Sequence, residues 1–184
     1  MNRIVSCLMF LAVAAMMLTG CKGGGSGPDL AAMGKAMSEA KSYRMTTVAS
    51  GSEVSMEIEC PNKVHTTSKT AGNTSEMVAI DTAMYMKAGG KWMKSPVAGT
   101  APTVCATPAT TGTTNTSGGA SPEVTKGAST TINGVACQEW TIGAAAASTT
   151  YCIGSDNYPV QIKTSAATVT YSDWNKVQVQ APQM

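Results

Sequence analysis

The chain of 184 residues contains 13 lysines and arginines, 11 aspartates and glutamates and one histidine, for a net charge of +2. This near balance excludes a strong basic field, so we expect neither nucleic-acid binding nor electrostatic attachment to anionic lipid. Valine, isoleucine and threonine are abundant, and Leu30 is the only leucine after residue 20. Because β-branched side chains suit strands better than helices, the composition predicts a mainly β protein.

The first 21 residues form a distinct segment. A basic start at Arg3 precedes the apolar run 4–18, which is shorter than the roughly 20 residues of a bilayer span and typical of a secretory signal peptide. The run ends in Leu18-Thr19-Gly20-Cys21, which resembles the lipobox of bacterial lipoproteins. The resemblance implies that Cys21 takes a diacylglycerol, that residues 1–20 are removed, and that the new amino terminus is acylated, for example with palmitate. An ordinary signal peptide with a chance cysteine is the alternative.

The mature chain is predicted to form a flexible tether and one folded domain. Residues 21–28 are rich in glycine and serine and predict the tether, whereas residues 29–184 predict a single domain. Pro28 and Asp29 open an amphipathic helix that ends near Lys41. Its apolar residues recur at steps of three and four along one stripe: Leu30, Met33, Met37 and Ala40.

After the helix the apolar period changes to two, which predicts a meander of antiparallel strands. In the clearest example, Val54, Met56 and Ile58 alternate with polar residues. Turns are predicted at Pro61-Asn62, Gly72-Asn73, Gly89-Gly90, Asn133-Gly134 and Gly154–Asn157, and the last predicted strand is Val177–Gln180. The alternation is lost at about residues 95–122, a Thr-, Gly- and Pro-rich stretch that predicts either a disordered loop or a functional flap.

Four cysteines remain once Cys7 in the leader and Cys21 are set aside: Cys60, Cys105, Cys137 and Cys152. An even number in an exported protein predicts two disulfides. A hairpin turning at residues 143–147 would bring Cys137 opposite Cys152, and Cys60–Cys105 then follows by elimination. A zinc site is the alternative, but the sequence lacks both CxxC spacing and paired histidines.

Several short motifs occur in a characteristic order along the domain: Lys41-Ser42-Tyr43-Arg44, Cys60-Pro61-Asn62-Lys63, Ile80-Asp81, Met84-Tyr85-Met86, Gly90-Lys91-Trp92, Tyr158-Pro159-Val160 and Tyr171-Ser172-Asp173-Trp174-Asn175. With one helix followed by a long meander, the chain resembles the lipoprotein-carrier superfamily, which includes LolA/LolB-like and mycobacterial LppX/LprG-like proteins. The resemblance implies a curved antiparallel half-barrel, with the N-terminal helix packed in or over its concave face, and an apolar cavity that takes acyl chains. Periplasmic carriers of that group have arginine where this chain has Cys60.

The candidate binding residues are apolar. There are five, and all of them could face one concave surface and accept an alkyl chain: Met56, Ile58, Met84, Met86 and Trp92. The alternative is that they form the ordinary core of the sheet. Met84 and Met86 with Met93 also suggest a thioether site for Cu(I), because soft ligands suit that ion.

No catalytic constellation is apparent in the sequence. His65, the only histidine, lies in an alternating strand without a recognisable base or nucleophile partner. No Gly-x-Ser-x-Gly motif, phosphate loop or metal-binding pair occurs. We therefore expect no enzymatic activity, no cofactor and no metal.

The leading hypothesis is a lipid-anchored protein of the bacterial cell envelope that binds an acyl chain or lipid in a half-barrel cavity. One alternative is an interaction module that docks another envelope protein without a ligand, and a further alternative is copper binding through methionines. Lys22 follows the lipid-bearing cysteine and resembles the sorting signal for the outer membrane, facing the periplasm. In a host with a single membrane, the anchor would lie in the plasma membrane.

Overall fold

The computed structural model describes residues 27–95, 105, 123–144 and 148–184. The predicted signal peptide, Cys21 and most of the tether lie outside the described residues, as does nearly all of the 95–122 loop except Ser95 and Cys105. Within the described part, no helix is long and apolar enough to cross a membrane.

In the described part of the chain, one helix precedes eleven strands. The helix α1 spans Leu30–Glu39, and the Asp29 side chain caps it by accepting a 2.8 Å hydrogen bond from the Ala32 N–H. The strands are β1 Ser42–Ala49, β2 Ser52–Glu59, β3 Lys63–Thr70, β4 Asn73–Ile80, β5 Ala83–Ala88, β6 Lys91–Lys94, β7 Val124–Ile132, β8 Val135–Ile142, β9 Thr149–Gly154, β10 Pro159–Lys163 and β11 Thr168–Ser172. The predicted mainly β architecture with one N-terminal helix is confirmed.

All eleven strands belong to one antiparallel sheet in the order β6-β5-β4-β3-β2-β1-β11-β10-β9-β8-β7. The ends of the sheet, β6 and β7, do not pair with each other, so the sheet forms an open, curved half-barrel. Several hairpins turn through two residues with positive φ, as primed turns require: Ser50-Gly51, Ala71-Gly72, Gly89-Gly90 and Asn133-Gly134. The predicted turn at Gly72-Asn73 is displaced by one residue, since Asn73 already begins β4.

The two faces of the sheet differ in character. On the helix face, α1 packs through Met33, supported by Leu30 and Met37, against side chains of β8, β9 and β10 that include Trp140, Ile142, Tyr151, Ile153 and Ile162. We call the opposite side the charged face, because it bears Arg44, Glu57, His65, Glu76 and Lys87. Side chains alternate between the faces along each strand.

The predicted final strand, Val177–Gln180, is wrong. This stretch belongs to a C-terminal segment, residues 173–184, that lies across the charged face and pairs with no strand in the part of the chain that the structure describes. The Val177 N–H donates to Ser42 Oγ at 3.0 Å, and the Val179 N–H donates to Glu59 Oε2 at 2.8 Å. Val177 and Val179 pack on Val78. The apolar period of two therefore arises because an extended chain on a surface also buries every second side chain.

The described residues include two disulfides, Cys60–Cys105 and Cys137–Cys152, which are the pairs expected from the sequence. Cys137 and Cys152 are not opposite each other, however. In the β8–β9 ladder Cys137 faces Gly154 and Cys152 faces Glu139. The bridge therefore joins a diagonal pair on the charged face, with a Cα–Cα distance of 5.3 Å.

Candidate functional site

A row of methionines crosses the helix face between β1 and β6. The strand registers place Met45 opposite Met56, Met77 opposite Met86, and Met86 opposite Met93. Thr66 on β3 lies between Met56 and Met77 in the same row. We call the five side chains the methionine row. At about 4.8 Å between neighbouring strands, a row across six strands is roughly 24 Å long.

A second, more deeply buried row runs beside the methionine row, nearer the end of the sheet where α1 leads into β1. It contains Ile58, Val64 and Ala79, each only 2% exposed, flanked by the half-buried Tyr43 and Met84. Along the methionine row itself, exposure increases towards the edge strand. Met45, Met56 and Met77 are half-buried, whereas Met86 is 44% and Met93 52% exposed. The helix face thus offers an apolar surface that opens to solvent at β6.

Four of the five residues predicted from the sequence lie together on this surface: Met56, Ile58, Met84 and Met86. Trp92 does not. In the short strand β6 it lies opposite Lys87 on the charged face, and it packs against the Val78, Val177 and Val179 cluster. The sequence analysis missed Met45 and Met77. The alternation of β1 and β4 indicated the face on which each of them lies. A single sequence does not show how one strand aligns with the next, so it did not place them in one row.

Charge is strongly segregated between the faces. Over the described strands β1–β6, Lys91 on the edge strand is the only charged residue on the helix face, as the strand registers show. The remaining carboxylates and cations of these strands project from the charged face. Because a charge left beside an apolar ligand loses hydration without gaining a partner, a surface without charges is suited to alkyl groups.

The charges on the opposite face pair with one another in a chain. Arg44 donates 2.6 Å hydrogen bonds to Glu57 and to Asp173. Glu57 also contacts His65 Nδ1 at 3.0 Å, and further along Glu76 accepts from Lys87 at 2.7 Å. Burial alone would raise the pKa of Glu57, but the hydrogen bonds from Arg44 and His65 outweigh it and hold the pKa below its ordinary value.

A polar pocket of about 330 Å³ lies between this chain of charges and the C-terminal segment. Its lining residues are Arg44, Glu57, Asp173, Lys176, Val177 and Gln178. Because Arg44 is already held by two carboxylates, its guanidinium is not free to bind an anion. The pocket thus lacks both the apolar lining of a lipid site and an uncommitted arginine.

An aromatic cluster occupies the end of the helix face where β1 begins. Trp174 stacks on Tyr158 at 4.3 Å and on Tyr171 at 5.7 Å between ring centroids, and Tyr43 lies 4.9 Å from Trp174. Burial raises the pKa of Tyr171, and the neighbouring phenols of Tyr43 and Tyr151 add to the effect. The cluster adds an aromatic boundary to the apolar surface.

Metal ligands of the usual hard or borderline kind do not cluster in the structure. In residues 27–95, 105, 123–144 and 148–184, no three His, Cys, Asp or Glu side chains come close enough to hold an ion. His65 Nε2 is buried without a hydrogen-bond partner, 3.8 Å from Glu76. His65 therefore lies between the carboxylates of Glu57 and Glu76 on the charged face.

No model of a known protein family and no curated protein sequence matches the chain. Solved structures do. LprF from Mycobacterium bovis aligns with a TM-score of 0.57 at 14% identity, covering 85% of this chain and 98% of LprF. The chain has the fold of LprF. Lipoprotein LppX of Mycobacterium tuberculosis aligns almost as well, with a TM-score of 0.55 at 13% identity over 83% of this chain and 100% of LppX. The resemblance to LppX/LprG-like proteins is thereby confirmed at the level of the fold.

Proposed function

We propose that this protein is a lipid-anchored component of the bacterial cell envelope that binds an acyl chain or lipid on its helix face. The observation that carries the proposal is the uncharged surface formed by the methionine row and the buried row of Ile58, Val64 and Ala79 beside it. Methionine side chains are flexible and polarisable, so they adapt to an alkyl chain of varied shape. Each methylene buried there would contribute about 0.8 kcal/mol.

The expected location supports this assignment. Two disulfides favour an oxidising compartment outside the cytoplasm, and one solved structure with this fold is a lipoprotein. We propose Cys21 as the attachment site for the lipid, with the outer membrane, facing the periplasm, as the destination in a host with two membranes. The function proposed is binding and not catalysis, and no cofactor or nucleic acid takes part in it.

Lipid binding is tested by native mass spectrometry and lipid extraction on residues 22–184 exported to the periplasm. We expect an adduct of lipid mass that survives purification. Met86→Glu and Met93→Glu place a charge at the exposed end of the methionine row, where the fold tolerates it, and should reduce the adduct severalfold. Lys94→Glu, on the opposite face of the same edge strand, is the matched control. A bare mass from the unsubstituted protein, with no binding of an apolar fluorescent probe, would contradict the proposal.

Anchoring is tested separately with the full chain. Metabolic labelling with palmitate should mark the wild-type protein, and Cys21→Ala should abolish the label and prevent removal of residues 1–20. Labelling that persists in Cys21→Ala would reject Cys21 as the attachment site without bearing on the ligand.

A docking function is the second candidate. It is favoured by the position of the exposed Met86 and Met93 beside β6, which is an edge strand of the sheet among the described residues, since an exposed apolar patch at a strand edge suits a protein partner. A photo-crosslinking residue at position 93 in intact cells distinguishes the two functions. A discrete protein adduct in cells, with no lipid on the purified protein, would favour docking.

A further inference from the structure

Three methionines on neighbouring strands form an unbroken line at the open edge of the sheet. Met77 on β4, Met86 on β5 and Met93 on β6 are consecutive partners in the ladder, on the same face. Directly opposed residues in antiparallel strands have Cβ atoms about 5 Å apart. Each methionine has three rotatable bonds, so the outer two sulfurs can turn towards the central one. The backbone therefore places three thioethers within reach of one point above Met86.

The same strands use different residues where only packing is required. On the charged face of β4, β5 and β6, the apolar positions are Val78, Ile80, Tyr85 and Trp92, and these pack against Val177 and Val179. Methionine is absent from that face of the three strands and recurs on the other. Met86 and Met93 are moreover about half exposed, so they contribute little to the core. Both residues are therefore accessible from solvent.

We propose that Met77, Met86 and Met93 bind a soft monovalent cation, Cu(I) or its analogue Ag(I). Thioether sulfur is a neutral, soft ligand that selects Cu(I) over the hard divalent cations. The sequence suggested Met84, Met86 and Met93 as the Cu(I) ligands, and the strand register replaces Met84 with Met77. Met84 lies opposite Ala79 and not beside Met77 or Met93 in the ladder. The ion binds as Cu(I) and leaves as Cu(I), so no electron donor or acceptor is required.

This proposal depends on the sulfur atoms and not on the apolar character of the surface, so a substitution that removes only the sulfur tests it. Leucine is as apolar as methionine and of similar size, but it offers no sulfur. A triple Met77→Leu, Met86→Leu, Met93→Leu variant therefore keeps an apolar surface while removing the cation ligands. Cation binding should be lost in this variant, and lipid binding is measured separately with the glutamate variants of the same row.

The experiment uses the full chain, expressed with its own leader and purified from the envelope fraction in detergent. Cu(I) is presented anaerobically as a coloured complex with a competing chelator, and the loss of colour measures its transfer to the protein. We expect the wild-type protein to take up one equivalent and the triple variant to bind at least tenfold more weakly. Met93→Leu alone changes an exposed side chain, so it tests the site even if the triple variant folds poorly.

Met45→Leu is the matched control, because it alters the same row on β1, three strands away from Met77, and should leave Cu(I) uptake unchanged. Methyl NMR signals of Met86 and Met93 should shift on addition of Ag(I), while that of Met45 does not. Failure of the wild-type protein to compete with the chelator, or equal binding by the triple variant, would overturn the proposal.

Discussion

The backbone N–H of Asn175 donates a 2.7 Å hydrogen bond to the carbonyl oxygen of Ser42, which fastens the C-terminal segment to the start of β1. The side chain of Asn175 makes the attachment stronger. Its Oδ1 accepts from the Lys41 N–H at 2.7 Å, and its Nδ2 donates to the Tyr158 hydroxyl at 3.2 Å. Asn175 has a φ of 60°, in the left-handed region. Asparagine tolerates this conformation better than most residues because its short polar side chain bonds locally.

Two substitutions at Asn175 separate its backbone role from its side-chain role. Asn175→Gly keeps the left-handed backbone and loses only the side-chain hydrogen bonds, so the free energy of unfolding should fall by about 1 kcal/mol. Asn175→Ala also places a Cβ in the left-handed region and should cost roughly a further 1 kcal/mol. Urea unfolding measures both. Equal losses in the two variants would show that the backbone conformation does not matter.

The C-terminal segment should stabilise the sheet through its buried valines. Val179 is 5% exposed and packs with Val78 and Val177. Val179→Ala should lower the free energy of unfolding by about 2 kcal/mol, because most of a buried valine's transfer energy is lost. Gln178→Ala is the matched control, since Gln178 is exposed on the same segment, and it should change stability by less than about 0.5 kcal/mol. Similar losses of unfolding free energy in both variants would mean that the segment does not pack on the charged face in solution.

The sequence predicted what local chemistry determines. Alternation assigned Met56 and Ile58 to one face of β2 and Glu57 and Glu59 to the other, and the glycines placed the turns at Gly89-Gly90 and Asn133-Gly134. Relations between strands were less accessible. The in-register methionine row depends on how six strands align, and the face on which Trp92 lies could not be fixed from a strand of only four residues.

Two further differences also have physical causes. Val177–Gln180 alternates like a strand because it is extended and half-buried, although hydrogen bonds to Ser42 and Glu59 replace a ladder. Cys137 and Cys152 bridge diagonally because the twist of a sheet brings one diagonal pair of side chains closer together. The sequence pattern does not distinguish a surface segment from a ladder strand, or a diagonal cysteine pair from an opposed one. Only the structure shows which arrangement is present.

The ionised form of Glu57 should stabilise the fold at neutral pH. Its pKa in the folded protein lies below the ordinary value, so its contribution is present above the unfolded pKa of about 4.3 and is lost as the pH falls through the lower, folded value. Glu57→Gln should therefore reduce stability at pH 7 while leaving a smaller difference from wild type below pH 4. Urea unfolding across this range measures the difference.

Glu53→Gln provides the control for the pH experiment. Glu53 lies on the same strand and face as Glu57, but its 2.9 Å pair with Lys69 is more exposed. Such surface pairs contribute roughly 0–1 kcal/mol, so this variant should track the wild-type protein at each pH. A Glu57→Gln variant whose deficit stayed constant down to the acid limit would show that the charge of Glu57 is not what stabilises the fold.

The Cys137–Cys152 bridge should contribute substantially to stability. It closes a sequence separation of 15 residues, for which chain-entropy arguments give about 3 kcal/mol. A Cys137→Ala, Cys152→Ala variant should lose about this much in guanidinium unfolding, and somewhat more because both side chains are buried. Periplasmic expression should yield a wild-type protein lacking four thiol hydrogens by mass, whereas cytoplasmic expression should leave the thiols reduced.

The Cys60–Cys105 bridge provides the comparison because it spans a longer separation of 45 residues. The same chain-entropy argument gives about 4 kcal/mol for its removal. The Cys60→Ala, Cys105→Ala variant should therefore lose at least as much free energy of unfolding as the Cys137→Ala, Cys152→Ala variant. Reduction of both disulfides in the wild-type protein should lower the free energy of unfolding by more than either double variant does. Double variants that unfolded at the wild-type denaturant concentration would show that the bridges do not stabilise the fold.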